Sequence, residues 1–420
     1  IEVAERLPDG DIRLLVGIAD VDALLVEGGA MEKRAAANTT SVYGGVLMWP
    51  MLHPRLSEQL TSLLEGYSRL AIVTELRVNE DGTLESSRIF RAKVKNYAKL
   101  NYEDTADFLD GDSMPLALEQ NPELAEQIRL QDECADRFAA LRKKLGALEL
   151  DTFEATPVMK GGKLVDMTVV RKSQSRALIE NVMIAVNAAT VTWLRAKGFP
   201  TIQRVVKTPQ RWEKIVEVAR AHGTVLPATP DQKALSGFLA HQKKVDQVGF
   251  AQLSLTIVKL LGPGEYARVS ADEDSGVHFG LAVQGYTHST APNRRWPDVI
   301  TQRLVKAALA GEPCPYTDAE LDAHAERCNQ MASMANKVER RIRKAAAASL
   351  LHGQEGEVFT GVVTGASGKG VFVRLETPAE EGRIMRGERG LDVGDVVRVK
   401  LLSADPERGF IDFQNIDARR

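Results

Sequence analysis

Cysteine is scarce in this sequence, whose 420 residues include three: Cys134, Cys314 and Cys328. An odd number without a Cys-x-x-Cys spacing indicates neither a disulfide framework nor a zinc site. It fits a reducing compartment, so we predict a cytoplasmic protein. No apolar run approaches the roughly 18 residues of a membrane helix, and no signal peptide is visible. The sequence therefore predicts no membrane partner.

A strong charge bias is also absent. The 54 basic residues nearly balance the 57 acidic ones, and the net charge is −3. The charge of the whole chain gives no support for nucleic-acid binding, which has to rest on local clusters. The length allows two to three domains with substantial cores. Because the chain begins without methionine at Ile1, inside a strand-like pattern, we expect it to be a fragment.

One segment, residues 278–304, contains many side chains that can bind ligands or take part in catalysis. Its sequence is HFGLAVQGYTHSTAPNRRWPDVITQRL. Within it, hydroxyl, imidazole, aromatic and guanidinium groups follow one another closely: Tyr286, His288, Ser289, Thr290, Arg294 and Arg295. From Pro297 onward the apolar spacing predicts a helix, with the proline in its first turn, where a missing N–H costs nothing. The two arginines are therefore expected immediately before a helix N-terminus.

Arg294 and Arg295 have two interpretations. The free N–H groups and the dipole of a helix N-terminus, together with a guanidinium fork, form a binding site for an anion such as phosphate. The alternative is that they form surface ion pairs with Asp298 and Glu312. The surrounding hydroxyl and aromatic groups are more than a solvated turn requires, which favours the anion site.

The segment resembles the signature of the ribonuclease II and RNase R (RNB-domain) exoribonucleases, usually written Y-x-H-F-T-S-P-I-R-R-Y-x-D. Both arginines are retained. This sequence departs from the pattern at four positions: Ser289 for an aromatic residue, Ala291 for serine, Asn293 for an aliphatic residue and Trp296 for tyrosine. Upstream, I-A-D-V, T-S-V-Y, P-M-L and L-T-S-L follow in the family's order. The resemblance covers essentially the whole chain.

The resemblance implies a processive 3′→5′ exoribonuclease that depends on Mg²⁺, with Mn²⁺ possible, and degrades single-stranded RNA to nucleoside 5′-monophosphates. It implies that Tyr43 stacks on the last nucleotides and that Tyr102 and Glu180 contact the terminal ribose. Arg294 would contact the scissile phosphate with support from Arg295, and Tyr102 would join them as a catalytic residue. Further RNA contacts are expected from Asn187, Tyr286, His288 and Thr290.

The metal ligands are not evident in these residues. The resemblance implies a D-x-D-D-type cluster immediately upstream of Ile1. Within the sequence, Asp20 is a weak candidate, since it ends an apolar strand pattern (residues 12–19) and equally fits a cap for the following backbone. We favour the cap.

Local patterns predict several further elements. Pro8-Asp9-Gly10 predicts a hairpin, and Asn121-Pro122 predicts the start of a long helix. In residues 88–99, cations alternate with apolar residues, which predicts one basic strand face that lines an RNA channel or is simply solvated. Residues 319–350 read as a helix pair whose basic end is a solvated face or a flank that contacts phosphates.

Glu180 and Asn187 lie seven residues apart, so they share one face of a largely apolar helix that begins at Ser175. A carboxylate on such a face requires a partner. For Glu180 the residues leave open an ion pair with a core arginine or a functional contact.

From about His352 the pattern changes to short strands at 358–364, 370–376, 396–402 and 409–413, with turns and a short loop between them, typical of a small barrel. G-E-V-F-T-G-V-V and G-D-V-V-R-V-K resemble the RNA-binding OB fold of the ribosomal-protein S1 type. There Phe359 and Phe372 would provide a stacking surface, although Phe372 equally fits the core. We predict an α+β fold: an RNB catalytic domain of sheet and long helices over 1–350, then an all-β OB barrel over 353–420.

Two functions compete. The first is the active exoribonuclease, acting as a monomer on single-stranded RNA without an organic cofactor. The second is a catalytically inactive protein of the same fold that only binds single-stranded RNA. The complete arginine segment favours activity, because a pure binder has no need of a transition-state arginine. A purely structural interaction protein would leave the tyrosines and arginines unexplained.

Overall fold

The structure is a computed structural model. It describes the chain except residues 152–154, 170, 171, 207, 210, 248, 275, 276, 368, 369, 376 and 418–420. Sheets and long helices form the larger part, and a closed barrel follows, which confirms the predicted α+β class.

The strands are β1 (Glu2–Arg6), β2 (Ile12–Ala19), β3 (Val42–Tyr43), β4 (Met48–Trp49), β5 (Ser68–Val78), β6 (Leu84–Lys95), β7 (Ala155–Lys160), β8 (Lys163–Val169), β9 (Thr201–Val205), β10 (Glu265–Val269), β11 (Val277–His278), β12 (Val283–Gln284), β13 (Val358–Ser367), β14 (Gly370–Leu375), β15 (Glu381–Arg386), β16 (Val396–Asp405) and β17 (Phe410–Asn415). The α-helices are α1 (Ala30–Asn38), α2 (Tyr102–Asp110), α3 (Leu116–Glu119), α4 (Pro122–Leu145), α5 (Gln174–Ala196), α6 (Trp212–Ala221), α7 (Gln232–Val245), α8 (Phe250–Leu261), α9 (Trp296–Ala310) and α10 (Asp318–Leu351).

An antiparallel sheet of order β1-β2-β5-β6 opens the chain. The predicted hairpin joins β1 to β2, with Gly10 at a φ of 91° that favours glycine. Alternate residues of β2 point into the core, where Ile12, Leu14 and Val16 are fully buried. On β6 the cations Arg91, Lys93 and Lys95 share one exposed face, as the alternation predicted, while Arg88 lies on the other face and pairs with Glu75.

Helix α5 packs its apolar side against α4 and the sheet. Val182, Val186 and Ala189 join the core cluster that contains Leu14 and Leu76. By length and composition α5 is also long and apolar enough to cross a membrane, contrary to our reading of the sequence. A buried core helix passes the same test, and 56% of the most apolar part of α5 is buried in this fold.

Helix α10 is a single element of 34 residues, so the predicted helix pair is wrong. No glycine or proline interrupts residues 318–351, and a capping box of Thr317 and Glu320 starts the helix. At 1.5 Å per residue it is about 51 Å long. Its last turn contributes Ala347, Ala348 and Leu351 to the core of the barrel, which couples the two parts of the chain.

The C-terminal strands close into a barrel of order β13-β14-β15-β17-β16. Four of the five strands were predicted. β15 was missed because its sequence, E-G-R-I-M-R, lies in a stretch that we read as a loop. It pairs in parallel with β17, and this pairing closes the barrel.

Candidate active site

The T-S-V-Y segment and the signature segment of residues 278–304 come together at the start of α9. The backbone of Ser41 donates to the carbonyl of Arg294 (3.0 Å), and that of Trp296 donates to the carbonyl of Thr39 (2.8 Å). Arg295 is the residue before the helix, with Pro297 in its first turn, as predicted. The T-S-V-Y segment and the arginine pair therefore form one surface, although about 250 residues separate them in the chain.

Arg294 is exposed and forms no ion pair with any residue that the structure describes. Its guanidinium carbon lies 6.0 Å from the centre of the Tyr43 ring, which is itself 45% exposed. Both residues line a cavity of about 170 Å³ whose opposite wall is α10. From that helix Glu339 accepts a hydrogen bond from the backbone N–H of Tyr43 (2.8 Å), which fixes the tyrosine at the rim.

Arg295 also lines this cavity, but its charge is neutralised within the protein. Its Nη2 donates to Oδ1 of Asp298 at 2.8 Å, and Asp298 is fully buried. Burial disfavours the charge of Arg295, but the Asp298 carboxylate more than offsets this, so the pKa of Arg295 lies above its usual value. The surface ion-pair interpretation is therefore wrong for Arg294. Arg295 does pair with Asp298, but the pair is internal and not on the surface. Glu312 is exposed and pairs with none of the described residues.

A hydrogen-bonded network holds the polar part of the segment. Asn187 of α5 accepts from the backbone N–H and the hydroxyl of Ser289, both at 2.8 Å, and donates to the Tyr286 hydroxyl at 3.3 Å. Tyr266 on β10 lies with its hydroxyl 2.8 Å from Nδ1 of His288. Burial, together with the charge of Arg295, lowers the pKa of His288 to about 3, so the imidazole is neutral at pH 7.

These contacts give Asn187, Tyr286 and His288 a definite structural place, since they fix the chain that leads to the arginines. Thr290 belongs to the same arrangement, with its hydroxyl 3.4 Å from Nη2 of Arg295. Tyr286 and His288 are partly buried and pack edge to face, with 5.7 Å between ring centres. Contact of these four residues with RNA stays a prediction.

Three of the four departures from the family pattern are accommodated by hydrogen bonds or by burial. Ser289, in place of an aromatic residue, binds Asn187. Asn293, in place of an aliphatic residue, donates to the carbonyl of Ser57 (2.9 Å) and to the hydroxyl of Thr61 (2.7 Å). Trp296 is almost completely buried. None of the three therefore leaves a gap in the segment.

Tyr102 and Glu180 lie apart from the cavity of Tyr43 and Arg294, at the N-terminal end of α5. The ring of Tyr102 lies 4.4 Å from the guanidinium carbon of Arg176, which precedes Glu180 by one helical turn. Glu180 is exposed, whereas Asn187 on the same face is buried, because the end of the helix reaches the surface. Glu180 forms no ion pair within 4 Å in the described part of the chain. Burial lowers the pKa of Arg142 and the charge of Glu180 opposes that shift, so an electrostatic interaction with this core arginine stays open.

The two phenylalanines of the barrel differ in position. Phe359 packs against the barrel core, with its ring centre 6.4 Å from that of Phe413. Phe372 alternates along β14 with the buried Val371 and Val373, so it lies on the outer face. The core interpretation of Phe372 is therefore wrong, and its stacking role stays a prediction.

Asp20 acts as the predicted cap. Its Oδ1 accepts from the backbone N–H of Ala23 (3.1 Å) and lies 3.4 Å from Lys306, while Oδ2 pairs with Arg91 (3.1 Å). Two cations therefore compete for the lone pairs that a metal would need. Among the described residues no group of three His, Cys, Asp or Glu side chains could hold a metal ion. These residues do not fit a metal centre.

Sequence reasoning missed Tyr266 and Glu339. Tyr266 reaches His288 because β10 pairs with β9. Glu339 reaches Tyr43 because α10 is one uninterrupted helix where a helix pair was predicted. No local pattern marks either contact, since both depend on the packing of distant elements. An uninterrupted helical pattern over 318–351 was the one available signal for Glu339.

Comparisons with known proteins identify the two domains of the chain. The family model of the RNB domain matches residues 2–311, and that of the RNase II-type exonuclease C-terminal S1 domain matches residues 357–415. The chain is similar to ribonuclease R 1 of Lactococcus lactis, with 27% identity over 98% of this chain and 53% of that protein. It is similar to ribonuclease R of Aquifex aeolicus, with 27% identity over 98% of this chain and 61% of that protein.

The fold is similar to that of Mycoplasma genitalium RNase R in complex with ribose-methylated single-stranded RNA. The TM-score is 0.87 with 21% identity, over 99% of this chain and 68% of that one. The chain spans 53–65% of the length of the ribonuclease R relatives it matches. Since the RNB model covers most of the chain and the S1 model covers the barrel, the chain belongs to the RNB-domain family, with an RNase II-type S1 domain after it.

Proposed function

We propose that this chain forms the RNA-holding and phosphate-contacting part of a 3′→5′ exoribonuclease that degrades single-stranded RNA to nucleoside 5′-monophosphates. One observation carries the proposal: of two adjacent arginines, Arg295 is neutralised internally by Asp298, whereas Arg294 is exposed beside Tyr43 without a counter-ion among the described residues. The same segment thus anchors one guanidinium and leaves the other free for an anionic ligand.

The chemistry follows from this placement. Arg294 contacts the scissile phosphate and stabilises the charge that develops there during hydrolysis. Tyr43 stacks on a base at the rim of the same cavity. Arg295 and Asp298 act as positioning residues, because they fix the turn that presents Arg294. Tyr102 and Glu180 contact the terminal ribose, where a hydroxyl partner distinguishes RNA from DNA.

Metal dependence is part of the proposal, since RNB exoribonucleases generally depend on divalent metals. A bound metal would supply an activated water and charge stabilisation. Because the described residues do not fit a metal centre, we assign no ligand to them. We favour Mg²⁺ over Mn²⁺ on resemblance alone.

The barrel extends the surface for the single strand, with Phe372 and the nearby Arg383 on its outside. We propose a division into a catalytic domain of residues 1–350 and an OB domain of residues 353–420. A monomeric state and a cytoplasmic location remain predictions from the sequence.

The test is release of labelled nucleotide from a 3′-labelled single-stranded RNA by the full-length protein, with Mg²⁺ and with EDTA. Metal-dependent release of labelled mononucleotide at early times is the expected result. RNA binding without release under either condition would instead establish the inactive RNA-binding protein. Release of internal fragments would contradict cleavage from the 3′ end.

A further inference from the structure

A row of exposed side chains along and beyond β6 has no role in the site described above. Arg91, Lys93 and Lys95 point from one face of the strand, and the alternation continues past its end to Tyr97 and Lys99. All five are exposed, while the residues between them are partly buried. We call these five residues the β6 stripe.

The charges of the β6 stripe are mostly uncompensated. Arg91 pairs with Asp20, but Lys93, Lys95 and Lys99 form no ion pair with any residue in the described part of the chain. The ring of Tyr97 is 74% exposed, and Nζ of Lys95 lies 5.4 Å from its centre. Available cations beside an exposed aromatic ring are the two components of a surface for single-stranded nucleic acid.

Spacing and direction add to this argument. Side chains on one face of a strand repeat about every 6.6 Å, twice the rise per residue. That repeat is close to the distance between neighbouring phosphates of an extended single strand. The β6 stripe also leads toward the proposed site, because Tyr102 begins α2 three residues after Lys99. A strand that followed the row would arrive at the residue to which the terminal ribose is assigned.

We infer that the β6 stripe is a binding track for single-stranded RNA, in which the lysines contact successive phosphates and Tyr97 stacks on a base. The inference rests on the proposed function and deepens it. It extends the RNA-binding surface from Tyr102 across the first sheet. An acidic protein segment would be attracted by the same charges, and the experiment separates the two ligands.

The experiment measures the affinity of the full-length protein for a single-stranded RNA of about 20 nucleotides at several salt concentrations, by fluorescence anisotropy. The stripe variant is Lys93→Gln/Lys95→Gln. The matched control is Lys143→Gln/Lys144→Gln, which removes the same charge from exposed side chains at the end of α4 that form no ion pair with any described residue. Loss of two phosphate contacts should reduce the slope of log K against log salt by about 1.4.

Tyr97 is tested separately. Replacement Tyr97→Ala should weaken binding at least about fivefold through the lost stacking, while Tyr97→Phe should retain the affinity of the wild type. Circular dichroism and a melting curve show whether each variant is folded. An equal effect of both tyrosine replacements would contradict stacking.

Each further outcome decides one claim. If the stripe variant and the control change the salt slope equally, the β6 stripe is not an RNA track, although the proposed function can stand. If the stripe variant loses binding to a polyglutamate peptide but keeps its RNA affinity, the ligand is an acidic protein segment and the inference fails. If the wild-type protein does not bind RNA, both the proposed function and the inference fail.

Discussion

The two arginines of the signature segment are neighbours in sequence and line one cavity, but they differ in exposure and in ion pairing. On the cavity side, Arg294 and Tyr43 are exposed and free to meet a ligand. On the packed side, Arg295 is bound to the buried Asp298, next to the network of Asn187 and His288. A motif that is uniformly polar in sequence therefore contains two sets of residues. One set is exposed at the cavity, where we propose that it contacts substrate, and the other set is held by internal hydrogen bonds.

The largest expected effect comes from removing the internal ion pair between Arg295 and Asp298. Replacement Asp298→Ala leaves the Arg295 guanidinium without its counter-ion in a largely buried position, which should cost about 3–5 kcal/mol of unfolding free energy. Urea denaturation measures this loss. Glu312→Ala is the control, since this exposed carboxylate pairs with no described residue and should change stability by less than about 0.5 kcal/mol. Equal losses would mean that the internal pair is not a structural support.

A smaller effect on the packed side depends on pH. Because the folded-state pKa of His288 is lowered to about 3, native His288 is neutral and its protonation opposes folding. Its contribution is therefore present above the unfolded pKa of about 6.5 and is lost as the pH falls toward 3. Between pH 7 and pH 4.5 the wild type should lose about 2 kcal/mol relative to His288→Asn, which cannot titrate.

Unfolding free energies at the two pH values, compared with the exposed control His241→Asn, test this prediction. The pH-dependent difference is the relevant quantity, because His288→Asn also changes the contact with Tyr266 at all pH values. A difference that is the same at pH 7 and pH 4.5 would show that His288 is not buried in its neutral form.

The smallest effect extends the comparison to the barrel. Phe359 packs on the core, so Phe359→Ala should cost roughly 1–2 kcal/mol of stability and affect RNA binding mainly through folding. Phe372→Ala should cost less than half of that and weaken RNA binding directly, because its ring lies on the outer face. Thermal unfolding and RNA affinity are measured for both. If Phe372→Ala lost more stability and Phe359→Ala weakened RNA binding directly, Phe372 would be the core residue and Phe359 the stacking residue.

Much of the fold was predictable because its signals are local. The Pro8-Asp9-Gly10 turn, the Asn121 cap and the alternation of β6 each depend on neighbouring residues, and all three elements form as predicted. β15 was not predictable in this way. Its pairing with β17 joins residues about 30 positions apart, and its own sequence carries a weak strand pattern.

The candidate site was also predictable only where its signals are local. Placement of Arg294 and Arg295 before a helix followed from Pro297 and the apolar spacing of α9. The difference in their pairing did not follow, because Arg295 binds a carboxylate that local sequence cannot show to be buried. The contacts of Asn187 with Ser289 and Tyr286 join residues about 100 positions apart, so only the packed structure reveals them.

The most direct test of the central claim compares RNA affinity and turnover in Arg294→Ala, in the full-length protein with Mg²⁺. The account predicts that the rate of nucleotide release falls by about 10²–10³, as for loss of one preorganised transition-state contact. The dissociation constant for single-stranded RNA should stay within a few-fold of the wild type, and the unfolding free energy should be unchanged. An equal loss of affinity and rate would contradict the account, because Arg294 would then be a general RNA contact and not a transition-state residue.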